Sequence, residues 1–134
     1  MKTITTWKKN HEFEAEHDGN KIKIDGEKKH GHGPKALLLS GLAGCSGIDV
    51  VDILEKMRVK FSDFEIEVEA MQTEDHPKVF SEINIIYSIK TAKENEEKVK
   101  KAIDLSLEKY CGVSAMLRKN SPVNYKLVIN KHAF

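Results

Sequence analysis

Two cysteines hold most of the chemical possibility in this chain. Cys45 lies within Gly41-Leu42-Ala43-Gly44-Cys45-Ser46-Gly47-Ile48, and Cys111 within Glu108-Lys109-Tyr110-Cys111-Gly112-Val113. A thiolate is a nucleophile, and two thiols that meet can cycle between dithiol and disulfide. Two that do not meet are simply small buried residues. Both sit in apolar segments that read as helical, and in a chain of 134 residues such segments must share one core. Inert pair or redox pair therefore both stand at this point. Cys111 falls at a helix break. If it opens the following helix, terminal N–H groups and the helix dipole favour its thiolate; if it closes the preceding one, they do not.

Other chemistry is thinly represented. His30-Gly31-His32 could be half a metal site, but nothing nearby adds two further ligands at a recognisable spacing, so no metal is expected. There is no CxxC, P-loop, GxGxxG or HExxH, and no cofactor is expected. Glu65, Glu67 and Glu69 alternate with apolar residues, as the solvated face of a strand does.

The element that must position Cys45 begins at Pro34, preset for the first turn of a helix. No charge interrupts Ala36 to Ile48 in a chain that is 32% charged, so a helix buried all round is predicted. That run spans roughly 20 Å as helix, short of a bilayer, which argues for a core helix rather than a membrane span. Gly41, Gly44 and Gly47 recur every third residue and should form a stripe for close approach of a backbone or ligand beside Cys45. Beyond Asp49 the helix turns amphipathic and runs to about residue 60.

Around it, alternating residues and the Asp18-Gly19 turn predict an N-terminal antiparallel meander over 1–26. Alternation predicts a β-hairpin over 64–90. Thr91 to Glu94 matches a capping box that would open a helix with Val99, Ala102, Ile103 and Tyr110 on one face. A short helix over 113–119 follows, Pro122 stops it, and a last strand ends near residue 131. The whole reads as a single α+β domain, 1–134.

Composition narrows the function classes. Lys and Arg number 22 against 21 Asp and Glu, a net charge of +1, which argues against a nucleic-acid binder. Residues 1–17 are polar and do not resemble a signal peptide, and two cysteines are too few for a secreted disulfide scaffold, so a cytoplasmic protein is expected, with no membrane partner.

Pro34-Lys35-Ala36-Leu37-Leu38-Leu39, then Ala43-Gly44-Cys45-Ser46, then Glu108-Lys109-Tyr110-Cys111-Gly112-Val113-Ser114 resemble the OsmC/Ohr family, the osmotically inducible and organic hydroperoxide resistance proteins. The likeness covers essentially the whole chain. It is strongest to the YhfA-like branch, through Gly-Cys-Ser-x-Ile-Asp-Val-Val at 44–51. The resemblance implies an intertwined α+β homodimer, with antiparallel sheets wrapped around two central helices. It implies a peroxidatic Cys45, a resolving Cys111, an organic hydroperoxide substrate and a dithiol reductant of lipoyl type. It also exposes departures. Lys35 and Ala36 stand where the family's active peroxidases carry a glutamate, and the family's N-terminal arginine has no counterpart. Arg118, Lys35, His30 or His32 could substitute, whereas Arg58 lies roughly 20 Å along the helix from Cys45. The alternative is a non-catalytic dimeric protein that binds a small apolar ligand, or a thiol redox sensor, which has lost the activating Glu and Arg.

Overall fold

The computed structural model describes residues 1–131. Six strands and three helices follow one another as β1 (Ile4–Lys9), β2 (Glu12–His17), β3 (Asn20–Asp25), α1 (Pro34–Lys56), β4 (Phe61–Gln72), β5 (Phe80–Thr91), α2 (Glu96–Leu105), α3 (Gly112–Arg118) and β6 (Val123–Ile129). A π turn, Ser106–Tyr110, joins α2 to α3. The described residues fall into two compact units, Met1–Leu38 and the chain from Leu39 onward.

The first unit is the β1-β2-β3 antiparallel meander. Asp18 and Gly19 take positive φ (48° and 80°) in its second turn, the twist a two-residue hairpin needs. In the second unit β4 and β5 form the expected antiparallel hairpin, and β6 adds parallel to β5. A parallel neighbour requires a crossover, which α2, the π turn and α3 supply. Central β5 buries Ile83, Ile85, Tyr87 and Ile89 on one face, against Leu42, Val50 and Leu54 of α1 and Val99, Ala102 and Ile103 of α2. Glu65, Glu67 and Glu69 are exposed, as alternation predicts.

Four local expectations need correction. First, α1 is not buried all round. Leu42, Ser46, Val50 and Leu54 form one buried stripe, while Ile48 is 66% exposed and Leu38 is also open. One three-stranded sheet can cover only one side of a helix. The helix is long and apolar enough to meet the length and composition criteria for a membrane span, yet its inner stripe is packed in the core of its own unit. Second, α1 stops at Lys56. Arg58 takes φ +58°, its N–H donates to Glu55 O (3.0 Å), and Val59 N–H donates to Leu54 O (2.9 Å). This is a Schellman stop with arginine where glycine is usual, so sequence offers no marker for it.

Third, Thr91 is not a helix cap. It ends β5, where its hydroxyl donates to Lys60 O (2.7 Å) and accepts from Asn95 Nδ2 (3.1 Å); a short 3₁₀ turn, Lys93–Asn95, leads into α2 instead. Fourth, Tyr110 is exposed rather than facing the core. The π turn accommodates one extra residue, and each residue of a helix rotates a side chain by about 100°.

Leu54→Ala should destabilise the second unit by about 2–5 kcal/mol, the range for emptying a fully buried leucine site, read from urea unfolding. A loss below about 1 kcal/mol would contradict the assignment of this stripe to the core.

Candidate functional site

The two cysteines meet. Cys45 lies on the inward side of α1, packed against the buried core, and its thiol is close enough to that of Cys111 to raise the Cys111 pKa. Both are free thiols. Cys45 is half-buried, whereas Cys111 is only 3% exposed. Cys111 caps α3, its Sγ accepting from Ser114 N–H (3.3 Å). That contact favours the thiolate, but burial outweighs it. Burial, the Cys45 thiol and the charge of nearby Asp49 together push the Cys111 pKa up to about 11. Cys111 therefore opens a helix, as one of the two sequence alternatives had it, yet keeps its proton at neutral pH.

Beside the thiols runs a buried chain of hydroxyls that sequence reading missed. Ser46, next to Cys45, lies 2.6 Å from Tyr87 OH and 2.9 Å from Ser106 Oγ. Ser106 donates to Asp49 Oδ2 (2.9 Å). Ser46, Tyr87 and Ser106 are fully buried; Asp49, one helical turn beyond Cys45, is half-buried. The carboxylate only accepts, so the hydrogens run one way: Tyr87 to Ser46, Ser46 to Ser106, Ser106 to Asp49. Burial is the main reason that the Tyr87 pKa rises to about 12. The run Cys45-Ser46-x-x-Asp49 puts polar groups on or beside the otherwise apolar inner stripe of the helix, the one sequence signal that could have flagged the chain.

Arg118, His30 and His32 each have partners of their own. Arg118 directs its guanidinium to Leu107 O and to Ser114 Oγ (2.8 Å). His30 Nδ1 faces Glu12 (3.2 Å) and Asp25 (3.9 Å) in the first unit, three groups close enough to hold a metal ion, of which Glu12 comes from a strand distant in sequence. The Asp25 carboxylate is held by the N–H groups of Glu27, Lys29 and His30, which lower its pKa. His32 joins β3 through its backbone, accepting from Asp25 N–H (2.9 Å) and donating to Lys23 O (3.3 Å). The glycine stripe and the thiol separate. Gly44 and Gly47, with Ile48, Val51, Phe64 and Ile66, line an open apolar groove of about 530 Å³ that Cys45 does not line. A methyl group added at Gly41 or Gly44 would meet nothing within 4 Å; of the three stripe glycines, only Gly47 is closely approached, by Ile66.

The raised pKa values set a pH dependence. Cys111 and Tyr87 hold their protons more tightly in the folded chain than at their ordinary values of 9.0 and 10.0. Their contribution to stability is complete below about pH 9 and is lost as pH rises through 11 and 12. Urea midpoints should therefore fall above about pH 9, and Cys111→Ala should remove the first part of that fall. A midpoint that rises with pH in this window would reverse the assignment.

Comparison with known proteins agrees with this fold. The family described as OsmC-like protein matches residues 26–126. Protein YhfA of Escherichia coli K12 is 35% identical over 113 residues, covering 82% of this chain and 84% of YhfA. A hypothetical protein from Aquifex aeolicus VF5 superposes with a TM-score of 0.82 at 28% identity, covering 97% of each chain. The organic hydroperoxide resistance protein OhrB of Bacillus subtilis shares the fold at a TM-score of 0.63 and 21% identity, over 94% of this chain and 96% of OhrB. With a family match across most of its length and a relative above 30% identity, this chain belongs to the OsmC-like family.

Proposed function

We propose that the protein is a cytoplasmic thiol-dependent peroxidase that reduces organic hydroperoxides with Cys45 and Cys111. The observation that carries this reading is the closeness of two unlike thiols, one half-buried and one sealed in the core. The Cys45 thiolate attacks the O–O bond. An S–O bond forms, the O–O bond breaks, and the departing alkoxide takes a proton to become an alcohol, leaving a sulfenic acid. The Cys111 sulfur then displaces that hydroxyl; an S–S bond forms, and the Cys111 proton leaves with the hydroxyl as water. A dithiol, of lipoyl type by family likeness, reduces the disulfide and is itself oxidised. A thiol that keeps its proton at neutral pH suits the second role, because it does not compete for the peroxide.

Cys45→Ser should abolish consumption of cumene hydroperoxide with dihydrolipoamide as reductant. Cys111→Ser should leave a sulfenic acid at Cys45 that dimedone traps. Wild-type protein that consumes no hydroperoxide under these conditions would favour the ligand-binding or redox-sensor alternative.

We also propose that the working form is a homodimer. The outer face of α1 is apolar and open, and so is one face of the first sheet. There Trp7 pairs with Phe13 and Ala15 with Ile22 on the same side, and Trp7 is 61% exposed. Patches of this kind are what a second copy covers. Sedimentation equilibrium should give about twice the 15.2 kDa chain mass, with a melting midpoint that rises with concentration. Gly44→Leu provides a sign test. On an open helix face leucine gains about 1 kcal/mol over glycine, whereas against a packed partner it loses about 1–3 kcal/mol; the dimer requires the loss.

A further inference from the structure

We infer that Arg118 and Ser106 are positioning residues, which together hold the π turn in the register that sets the Cys111 thiol against Cys45. The inference builds on the two-thiol reading above, but its first test needs no peroxide.

In an uninterrupted α-helix the Cys111 N–H would donate to Leu107 O. It donates instead to Ser106 O (2.7 Å), one residue earlier, which is the hydrogen bond that defines a π turn. The Leu107 carbonyl is thereby left without its helical partner, at a buried residue. An orphaned carbonyl there would pull the turn back towards α-helical register. Two side chains from α3 occupy it instead: Arg118 Nη2 and Ser114 Oγ (3.4 Å) both donate to Leu107 O. Arg118 also donates to Ser114 Oγ (2.8 Å), which leaves the Ser114 hydrogen for Leu107.

The start of the same turn is fastened to the helix that carries Cys45. Ser106 Oγ accepts from Ser46 and donates to Asp49, each at 2.9 Å, while its carbonyl takes the Cys111 N–H. One residue therefore joins α1 through its side chain to the backbone of Cys111. Reversion of the turn to α-helical register would rotate Cys111 by about 100° and carry its sulfur off Cys45. Arg118 thus acts on the backbone of the turn, not as a substitute for the family's arginine beside the attacking thiolate.

The test uses Arg118→Ala and Ser106→Ala with two readouts. In dithiothreitol redox buffers, the equilibrium constant for the Cys45–Cys111 disulfide should fall by about tenfold in each variant, the factor expected for loss of a buried bond. In single turnovers with cumene hydroperoxide, sulfenic acid should form at Cys45 within about twofold of the wild-type rate, while disulfide closure slows about tenfold and dimedone traps the intermediate. Arg118→Lys keeps one donor towards Leu107 and should recover part of the closure rate, so the inference stays testable if Ser106→Ala does not fold. Unchanged closure and an unchanged disulfide equilibrium in the folded variants would overturn the inference. So would slowed sulfenic acid formation with normal closure, which would make Arg118 the activating cation. If the wild type forms no sulfenic acid but the variants still shift the disulfide equilibrium, the peroxidase reading fails and the positioning role stands.

Discussion

The hydrogen bonds converging on Ser106 are the constraint on which the rest of the site depends. A serine has one hydrogen to give, and here it goes to Asp49, leaving the oxygen to accept from Ser46. Ser46 in turn accepts from Tyr87. All three hydroxyls are out of reach of water, so a broken link would leave a buried polar atom with no replacement partner. The chain is therefore nearly all-or-none. It ties α1, the centre of the second sheet and the π turn into one arrangement, and α1 and the end of that turn are where the two cysteines sit.

The same network explains why the two thiols differ. Cys45 sits on the inner side of a helix whose outer side is open, so it keeps partial access to solvent. Cys111 ends the π turn, near Asp49, where burial and negative charge both oppose ionisation. Its position at the start of α3 would ordinarily favour a thiolate. A helix of seven residues offers a weak field, and the single Ser114 N–H contact is outweighed by desolvation. Tyr87, deeper in the same chain of hydroxyls, is raised for the same reason.

Much of the architecture was legible in the sequence because it rests on short-range periodicity. Alternation in Glu65–Ala70 and in Ile83–Ile89 marked both strands and the face each buries. Asp18-Gly19 marked a hairpin turn through its backbone requirement alone. What failed were signals that several structures share. Arg58 closes α1 in a conformation usually left to glycine, Thr91 resembles a helix cap but ties strand ends, and a run without charge says a helix must be covered without saying by what.

By itself the sequence determined the order of elements, the two cysteines as the residues with chemistry to offer, and, through short matching segments around them, the family. Those follow from local composition and spacing, which a linear chain displays openly. Only the tertiary structure decided that the thiols are neighbours, that Ser46, Asp49, Tyr87 and Ser106 form one chain beside them, and that Arg118 supports a carbonyl. Each of those contacts joins groups from different elements, or turns on a single helical hydrogen bond shifting by one residue. Neither leaves a periodic trace in sequence, because the partners are selected by the packing of the core and not by their separation along the chain.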